Sequence, residues 1–263
     1  MTTPRVFIIR HGETEWSLNG RHTGTSDIPL TANGEKRVRA TGKALVGPDR
    51  LIVPSNLAHI YVSPRKRAQR TLELLGLACH EEMPWAPHGE MAEGNVACAE
   101  GARAKIEVTA QISEWDYGEY EGITSQEIRK RREESGEGSW DIWRDGCPGG
   151  ESPEQITARL DDLIKSLRER YHADAIGKPK GTVKKPYDVL IVAHGHILRA
   201  FAGRWIGKNI ADNPSLLLDA GGVGTLSYEH HSLDEPAILL GGAFMSDVVD
   251  HAVEDATKEK HSS

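Results

Sequence analysis

Residues 7–16 read FIIRHGETEW. Phe7, Ile8 and Ile9 form an apolar, β-prone run that stops at Arg10-His11-Gly12 and turns acidic and polar. A buried strand ending in a cation, an imidazole and a glycine leaves four readings of His11: metal ligand, nucleophile, general base or turn residue. Working outward, the runs Val6–Ile9, Ile60–Val62, Val189–Ala193 and Gly224–Tyr228 all read as short buried strands. Helical segments fall between them. Thr31 caps one that reaches about Leu45, and Arg65–Leu75 follows Ser63-Pro64, which suits a helix start. Ser125–Glu134 is charged. Ser152–Tyr171 carries Pro153 in its first turn and places Ile156, Leu160, Leu163, Ile164 and Leu167 on one stripe. Ile197–Ile206 follows the third strand directly. Continuous apolar strands alternating with helices predict an α/β fold, a three-layer αβα sandwich with a mainly parallel central sheet covered on both faces.

The chain reads as one domain over residues 1–245, with surface insertions near 76–107 and 173–187 and a polar tail at 246–263. Its 263 residues suffice for a sizeable core. No stretch approaches the roughly 20 apolar residues of a membrane helix. The N-terminus carries no signal-peptide pattern, so a cytoplasmic protein is expected. Cys79, Cys98 and Cys147 form no CxxC pair and read as scattered reduced thiols. A net charge of −7 argues against nucleic acid or an acidic membrane as partner, since both need a broad basic face. A small anion remains open, because binding one depends on local charge. The basic run Lys178–Lys185, interleaved with proline and glycine, reads as a solvated loop.

In open α/β sheets ligands bind at the carboxyl ends of the strands. Three of the predicted strands end in polar clusters: Arg10-His11-Gly12, Ser63-Pro64-Arg65-Lys66-Arg67 and His194-Gly195-His196. Parallel strands would bring these onto one rim. Guanidinium groups match phosphate oxygens bidentately, and helices starting after each cluster aim N–H groups at an anion. A metal fits less well, because Arg10, Arg67 and Arg199 would repel a divalent cation and stabilise a phosphate. A neutral imidazole can take a phosphoryl group without metal help. Turnover then needs an acid for the leaving alkoxide and a base for water. The stretch ISEWDYGEYEG supplies Glu114, Asp116, Glu119 and Glu121, among which composition does not choose.

The ordered blocks RHGETEW (10–16), RHTGTSDIPLTANG (21–34), SPRKRAQRT (63–71), EWDYGEYEG (114–122), GGES (149–152) and VAHGHILR (192–199) resemble the histidine phosphatase superfamily across nearly the whole chain. The resemblance implies a phosphoglycerate-mutase-like fold in which His11 is the nucleophile that becomes phosphorylated. Glu114 would be the proton donor and later the base. Arg10, Arg67 and His194 would hold the transferring phosphoryl, with Gly12 and Gly195 keeping backbone close. Thr23, Gly24 and Ser63 fall in the same motifs and would contact substrate, as would Ser17, which stands where many members have Asn. No metal or cofactor is implied.

Mutases of the superfamily carry Glu-Arg-x-Tyr-Gly around the acid. Here Glu114-Trp115-Asp116-Tyr117-Gly118 lacks the Arg, which argues against a phosphoglycerate mutase. The blocks EWDYGEYEG, WDIWRDGCPGGES (140–152) and LLDAGGVGTLSYEHHSLDEPA (217–237) are similar to the fungal sedoheptulose-1,7-bisphosphatase group. That resemblance implies hydrolysis of the C1 phosphate of sedoheptulose 1,7-bisphosphate, with fructose 1,6-bisphosphate as a further substrate. Tyr117, Arg199 and His230 would contact the sugar and its second phosphate; of His230 and His231, strand alternation lets only one face the site. The expected partner is thus a small sugar bisphosphate, and a homo-oligomer is compatible with the chain. A phosphoglycerate mutase or broad-specificity phosphomonoesterase stands as the alternative. A non-catalytic, protein-binding member is disfavoured because Arg10, His11, Arg67, Glu114 and His194 are all present.

Overall fold

The computed structural model describes residues 1–77, 94–96, 104–212 and 215–240. In chain order its main elements are β1 (Val6–Arg10), α1 (Glu15–Asn19), α2 (Ala32–Leu45), β2 (Leu57–Val62), α3 (Lys66–Leu74), β3 (Gly94–Val96) and β4 (Lys105–Val108). They continue with α4 (Ser125–Glu134), α5 (Ile142–Asp145), α6 (Pro153–Leu167), β5 (Asp188–Ala193), α7 (Gly195–Trp205), β6 (Val223–Tyr228) and β7 (Pro236–Leu239). The sheet order is β3-β4-β2-β5-β1-β6-β7. Strands β4, β2, β5 and β1 run parallel, while β3, β6 and β7 pair antiparallel with their neighbours.

The apolar runs are continuous because both faces of the central strands are buried. Along β1 the side chains alternate. Val6 and Ile8 join a core with Tyr61, Val189 and Ile191 under α6 and α7, to which the predicted stripe of α6 contributes Ile156, Leu160, Leu163, Ile164 and Leu167. Phe7 and Ile9 join the opposite core with Ile60, Val62, Leu190 and Val192, roofed by Val38 of α2 and by Ala68 and Leu72 of α3. These two cores and the sheet between them are the three layers.

The expected helices are present with shifted ends. Thr31 is the N-cap of α2, its hydroxyl accepting from the Gly34 N–H at 2.9 Å. The Ser152–Tyr171 segment is α-helical from Pro153 to Leu167 and then widens into one π turn, Arg168–His172. Helix α7 starts at Gly195, two residues earlier than its periodicity suggested, with His194 extended as N-cap.

Three sequence expectations change. First, the 76–107 segment is not purely a surface excursion. Lys105–Val108 extends the sheet beside β2 with Ile106 fully buried, and 94–96 pairs with it. The rest of that segment lies outside the described residues, as does the 246–263 tail. Second, β6 is antiparallel to β1, and β7, Pro236–Leu239, was not anticipated. Third, the β6–β7 turn with His230 and His231 therefore lies beyond the start of β1, at the opposite end of the sheet from Arg10. Residues 173–187 carry no helix or strand. Among the described residues no helix is long and apolar enough to cross a membrane.

Candidate active site

Strand β5 is inserted between β1 and β2, so the three predicted clusters become neighbours at the carboxyl rim. The ladder runs straight into them: the His11 N–H donates to the Ala193 carbonyl at 2.9 Å, and the Ser63 N–H to the Val192 carbonyl at 3.0 Å. Above this rim lies a cavity of about 270 Å³ whose walls include Arg10, His11, Ser17, Thr23, Glu114, Tyr117, Gly195 and Arg199.

His11 is 5% exposed, and its Nδ1 donates to the carbonyl of Gly12 at 2.7 Å. That bond fixes the neutral ring's proton on Nδ1 and leaves the Nε2 lone pair available. Burial, then the charges of Arg67 and Arg10, hold its pKa well below the ordinary imidazole value, so the ring is neutral at pH 7. Gly12 in turn donates to Thr71 Oγ1 at 3.0 Å, and a Cβ there would sit 2.7 Å from Val38 Cγ2. Only glycine lets the chain turn this close to α2.

Arg10 gives Nη1 to the Leu218 carbonyl at 3.0 Å, while its Nε is buried with no hydrogen-bond partner among the described residues. A buried unpaired guanidinium N–H is costly to leave unmade, and an anion would satisfy it. Gly195 lies against this guanidinium.

Beneath the cavity wall Arg67, fully buried, donates Nε to His194 Nδ1 at 3.1 Å and its two amino groups to the carbonyls of Ser26, Thr23 and Gly24. Burial lowers its pKa to about 10, which still leaves it cationic. Because His194 Nδ1 accepts, its proton lies on Nε2, which donates to Ser63 Oγ at 2.6 Å. The His194 ring meets His11 edge-on at 5.1 Å between centroids. Burial and Arg67 also hold His194 neutral.

Glu114, 7% exposed, accepts from the N–H groups of Trp115 at 3.0 Å, Ile197 at 2.9 Å and His196 at 3.1 Å. The last two open α7, whose N-cap His194 supplies no side-chain cap. The carboxylate thus caps the helix from outside it and is aimed at the rim by doing so.

The expected contacts divide accordingly. His11, Arg10, Glu114, Ser17, Thr23, Tyr117, Gly195 and Arg199 meet around one cavity. Ser63, Arg67 and His194 are not at the wall: all three are fully buried, with Ser63 and Arg67 the hydrogen-bond partners of His194. Gly12 is not among the cavity's lining residues either. Gly24 is a packing position, with its N–H on Glu121 and a Cβ there placed 2.4 Å from the Trp115 carbonyl. Ser17 lines the cavity, but its hydroxyl proton goes to the Thr14 carbonyl at 2.8 Å within the capping box of α1. His230 does not belong to the site. It follows an antiparallel strand, has φ +46° and pairs with Glu235 at 2.7 Å on the far side of the sheet.

Sequence reasoning missed His22 and His196 as cavity walls, although both stand inside the quoted motifs. It also missed the Leu216–Asp219 wall and the role of Glu121, which holds the Gly24 and Ser26 N–H groups while Arg67 holds that loop's carbonyls. Among the described residues no group of three or more His, Cys, Asp or Glu is arranged to hold a metal ion. What the arrangement can do is bind an anion against Arg10, present it to a neutral imidazole, and exchange a proton with Glu114.

A match to the family profile "Histidine phosphatase superfamily (branch 1)" spans residues 6–106 and 96–235. The chain is 34% identical to sedoheptulose 1,7-bisphosphatase of Saccharomyces cerevisiae, over 93% of this chain and 94% of the relative. It is 31% identical to an acid phosphatase of Mycobacterium tuberculosis, over 86% and 87%. Among solved structures, the product of a Mycobacterium tuberculosis open reading frame superposes with a TM-score of 0.65 at 29% identity, covering 91% of this chain and 97% of the other. A mycobacterial glucosyl-3-phosphoglycerate phosphatase shares the fold at TM-score 0.64 and 20% identity, over 92% of this chain and 100% of the other. With a profile spanning most of its length and these relatives, the chain is a phosphatase belonging to branch 1 of the histidine phosphatase superfamily.

Proposed function

We propose that this phosphatase hydrolyses a sugar bisphosphate through a phosphohistidine, without a metal, and that its substrate is the C1 phosphate of sedoheptulose 1,7-bisphosphate, with fructose 1,6-bisphosphate a further one. The observation that carries the reading is the pairing, in one cavity, of the His11–Arg10–Glu114 group with a separate cation, Arg199. The Arg199 guanidinium lies 5.0 Å from the Trp143 ring centroid, and its buried Nε has no hydrogen-bond partner among the described residues. A monophosphate needs one cationic cluster and a bisphosphate needs two. The name of the yeast relative points the same way.

In the first half-reaction His11 Nε2 attacks phosphorus, the bond from phosphorus to the sugar oxygen breaks, and Glu114 in its protonated form gives its proton to that oxygen. In the second, water attacks the phosphohistidine, Glu114 takes a water proton, and the N–P bond breaks to release inorganic phosphate. Arg10, with the field of Arg67 behind it, stabilises the equatorial oxygens as their charge develops. Phosphate release from a panel of sugar mono- and bisphosphates in EDTA tests the reading. Loss of activity with chelator, or uniform preference for monophosphates, refutes it.

The Mycobacterium tuberculosis relative named as an acid phosphatase favours a second reading, a broad-specificity phosphomonoesterase. Similar kcat/KM values across aryl and sugar monophosphates in the same panel would establish that one instead.

A further inference from the structure

The cavity holds donors that the chemistry at His11 does not use. His22, on the loop after α1, and His196, in the first turn of α7, both line it, with ring centroids 5.8 Å apart. Tyr117 touches both: its ring lies 4.8 Å from that of His22, and its hydroxyl is 2.7 Å from His196 Nδ1. Burial, reinforced by the Glu114 charge, keeps that hydroxyl protonated well above its ordinary pKa. It therefore donates to His196 Nδ1, and the neutral His196 carries its own proton on Nε2. His22 meets Ser125 Oγ through Nε2 at 3.2 Å. Neither His196 Nε2 nor His22 Nδ1 has a hydrogen-bond partner among the described residues, and Arg199 lines the same cavity.

We propose that His22 and His196, together with Arg199, seat the second phosphoryl group of a bisphosphate, and that this imidazole pair takes up a proton when the group arrives. The inference rests on the sugar-bisphosphate reading above and names the residues that would enforce it.

In the empty cavity both rings are neutral. For His22 the cause is burial, opposed by the charge of Glu121; for His196 it is burial, reinforced by His22, Arg199 and Arg10. A phosphate monoester carries close to two negative charges at pH 7 and reverses that balance. At 5.8 Å the two rings do not both charge easily, so the change amounts to about one proton for the pair.

The surroundings leave the anion as the effective counter-charge. Trp140 packs edge-on against His22, and Trp143 faces His196. Glu121 spends its oxygens on the Gly24 and Ser26 N–H groups, and Glu114 spends its own on the start of α7. The remaining charged walls are Arg21, whose Nη1 is given to the Gly122 carbonyl, and Asp219. Once protonated, His196 can reverse its bond to Tyr117, donating from Nδ1 to the phenolic oxygen. A monophosphate held only at His11 leaves the pair neutral, so selection for a bisphosphate sharpens as pH falls.

The test is calorimetric. The His11→Ala protein, which cannot turn over, is titrated with sedoheptulose 1,7-bisphosphate and with fructose 1-phosphate in two buffers of different ionisation enthalpy. The expected result is about one more proton taken up with the bisphosphate than with the monophosphate, and a bisphosphate Kd that rises up to roughly tenfold per pH unit between about pH 7 and 8. His22→Gln or His196→Gln in the same background should lower the extra uptake and flatten the slope. Equal uptake for both sugars, or uptake unchanged in both variants, overturns the proposal. Tighter bisphosphate binding without extra protons removes only the histidine pair. Bisphosphate binding no tighter than monophosphate at any pH removes the sugar-bisphosphate reading and the proposal with it.

Discussion

At the scale of single residues, function turns on which nitrogen of each histidine is free. The Gly12 carbonyl holds the His11 proton on Nδ1, so Nε2 is the atom able to bond phosphorus. His11→Ala should therefore abolish acid-labile phosphoenzyme and reduce kcat by at least about 10⁴-fold, as read by rapid-quench labelling; undiminished turnover would remove His11 from the mechanism. Arg67 acts on the same ring from below, helping to depress its pKa. Replacing it with Met should let the His11 pKa rise. Since the neutral ring is the active one, the acid limb of kcat/KM should then move to higher pH than in the wild type. An acid limb that stays put would mean that Arg67 does not set the charge state of His11. Motif reading pointed to Arg10 and His11, because Arg and His beside glycine at a strand end are an explicit chemical signal. It set Arg67 at the phosphate itself, whereas the structure buries Arg67 beneath the wall. It misjudged Ser63 and Gly24, because a motif marks positions needed by a site without distinguishing those at the wall from those that brace it.

At the scale of elements, Glu114 joins two tasks. It caps α7 through the N–H groups of His196 and Ile197 and faces the cavity. Glu114→Gln should cost about 1 kcal/mol of helix-cap stability, seen as a melting point lower by about 2–4 °C. It should also slow sugar phosphates far more than aryl phosphates, whose leaving groups need no proton. Equal slowing of both would separate Glu114 from proton transfer. Helix α2 shows a different constraint. A Cβ at Gly42 would lie 2.4 Å from the Leu75 carbonyl, so Gly42→Ala should destabilise the fold by about 1–3 kcal/mol in a urea titration; an unchanged midpoint would mean that α2 can shift freely. Helices α2 and α6 were legible because Thr31 and Ser152 mark their starts and the apolar stripe of α6 repeats; the Thr124 cap of α4 was not read from the sequence. Strands β4 and β7 were not, since four-residue runs such as KIEV and PAIL carry too little periodicity.

At the scale of the whole molecule, the decisive fact is strand direction. An apolar run announces a buried strand and says nothing of which way it points. Parallel β1, β2 and β5 brought the three expected clusters to one rim, as their chemistry implied. The antiparallel pairing of β6 sent His230 to the other end of the sheet. His230→Ala should accordingly leave KM for a sugar bisphosphate unchanged. A rise of several-fold would require the 229–235 turn to reach the cavity, against the register of β6 on β1. Arg199, one turn beyond His196 on α7, lines the cavity and is the cation that the proposed bisphosphate reading assigns to the second phosphoryl group.

The placement of β5 between β1 and β2 bears on how the protein is made. The strand that completes the middle of the sheet is encoded at residues 188–193, long after its two neighbours. Until it leaves the ribosome, Phe7, Ile9, Ile60 and Val62 face a gap where their central partner belongs, and His11 has no His194 beside it. The nascent chain must hold two orphaned strand edges apart from each other and from foreign strands for most of its synthesis. Closure across about 180 residues then fills the middle of the sheet and sets His194 beside His11, ahead of the Leu216–Asp219 wall and of β6 and β7.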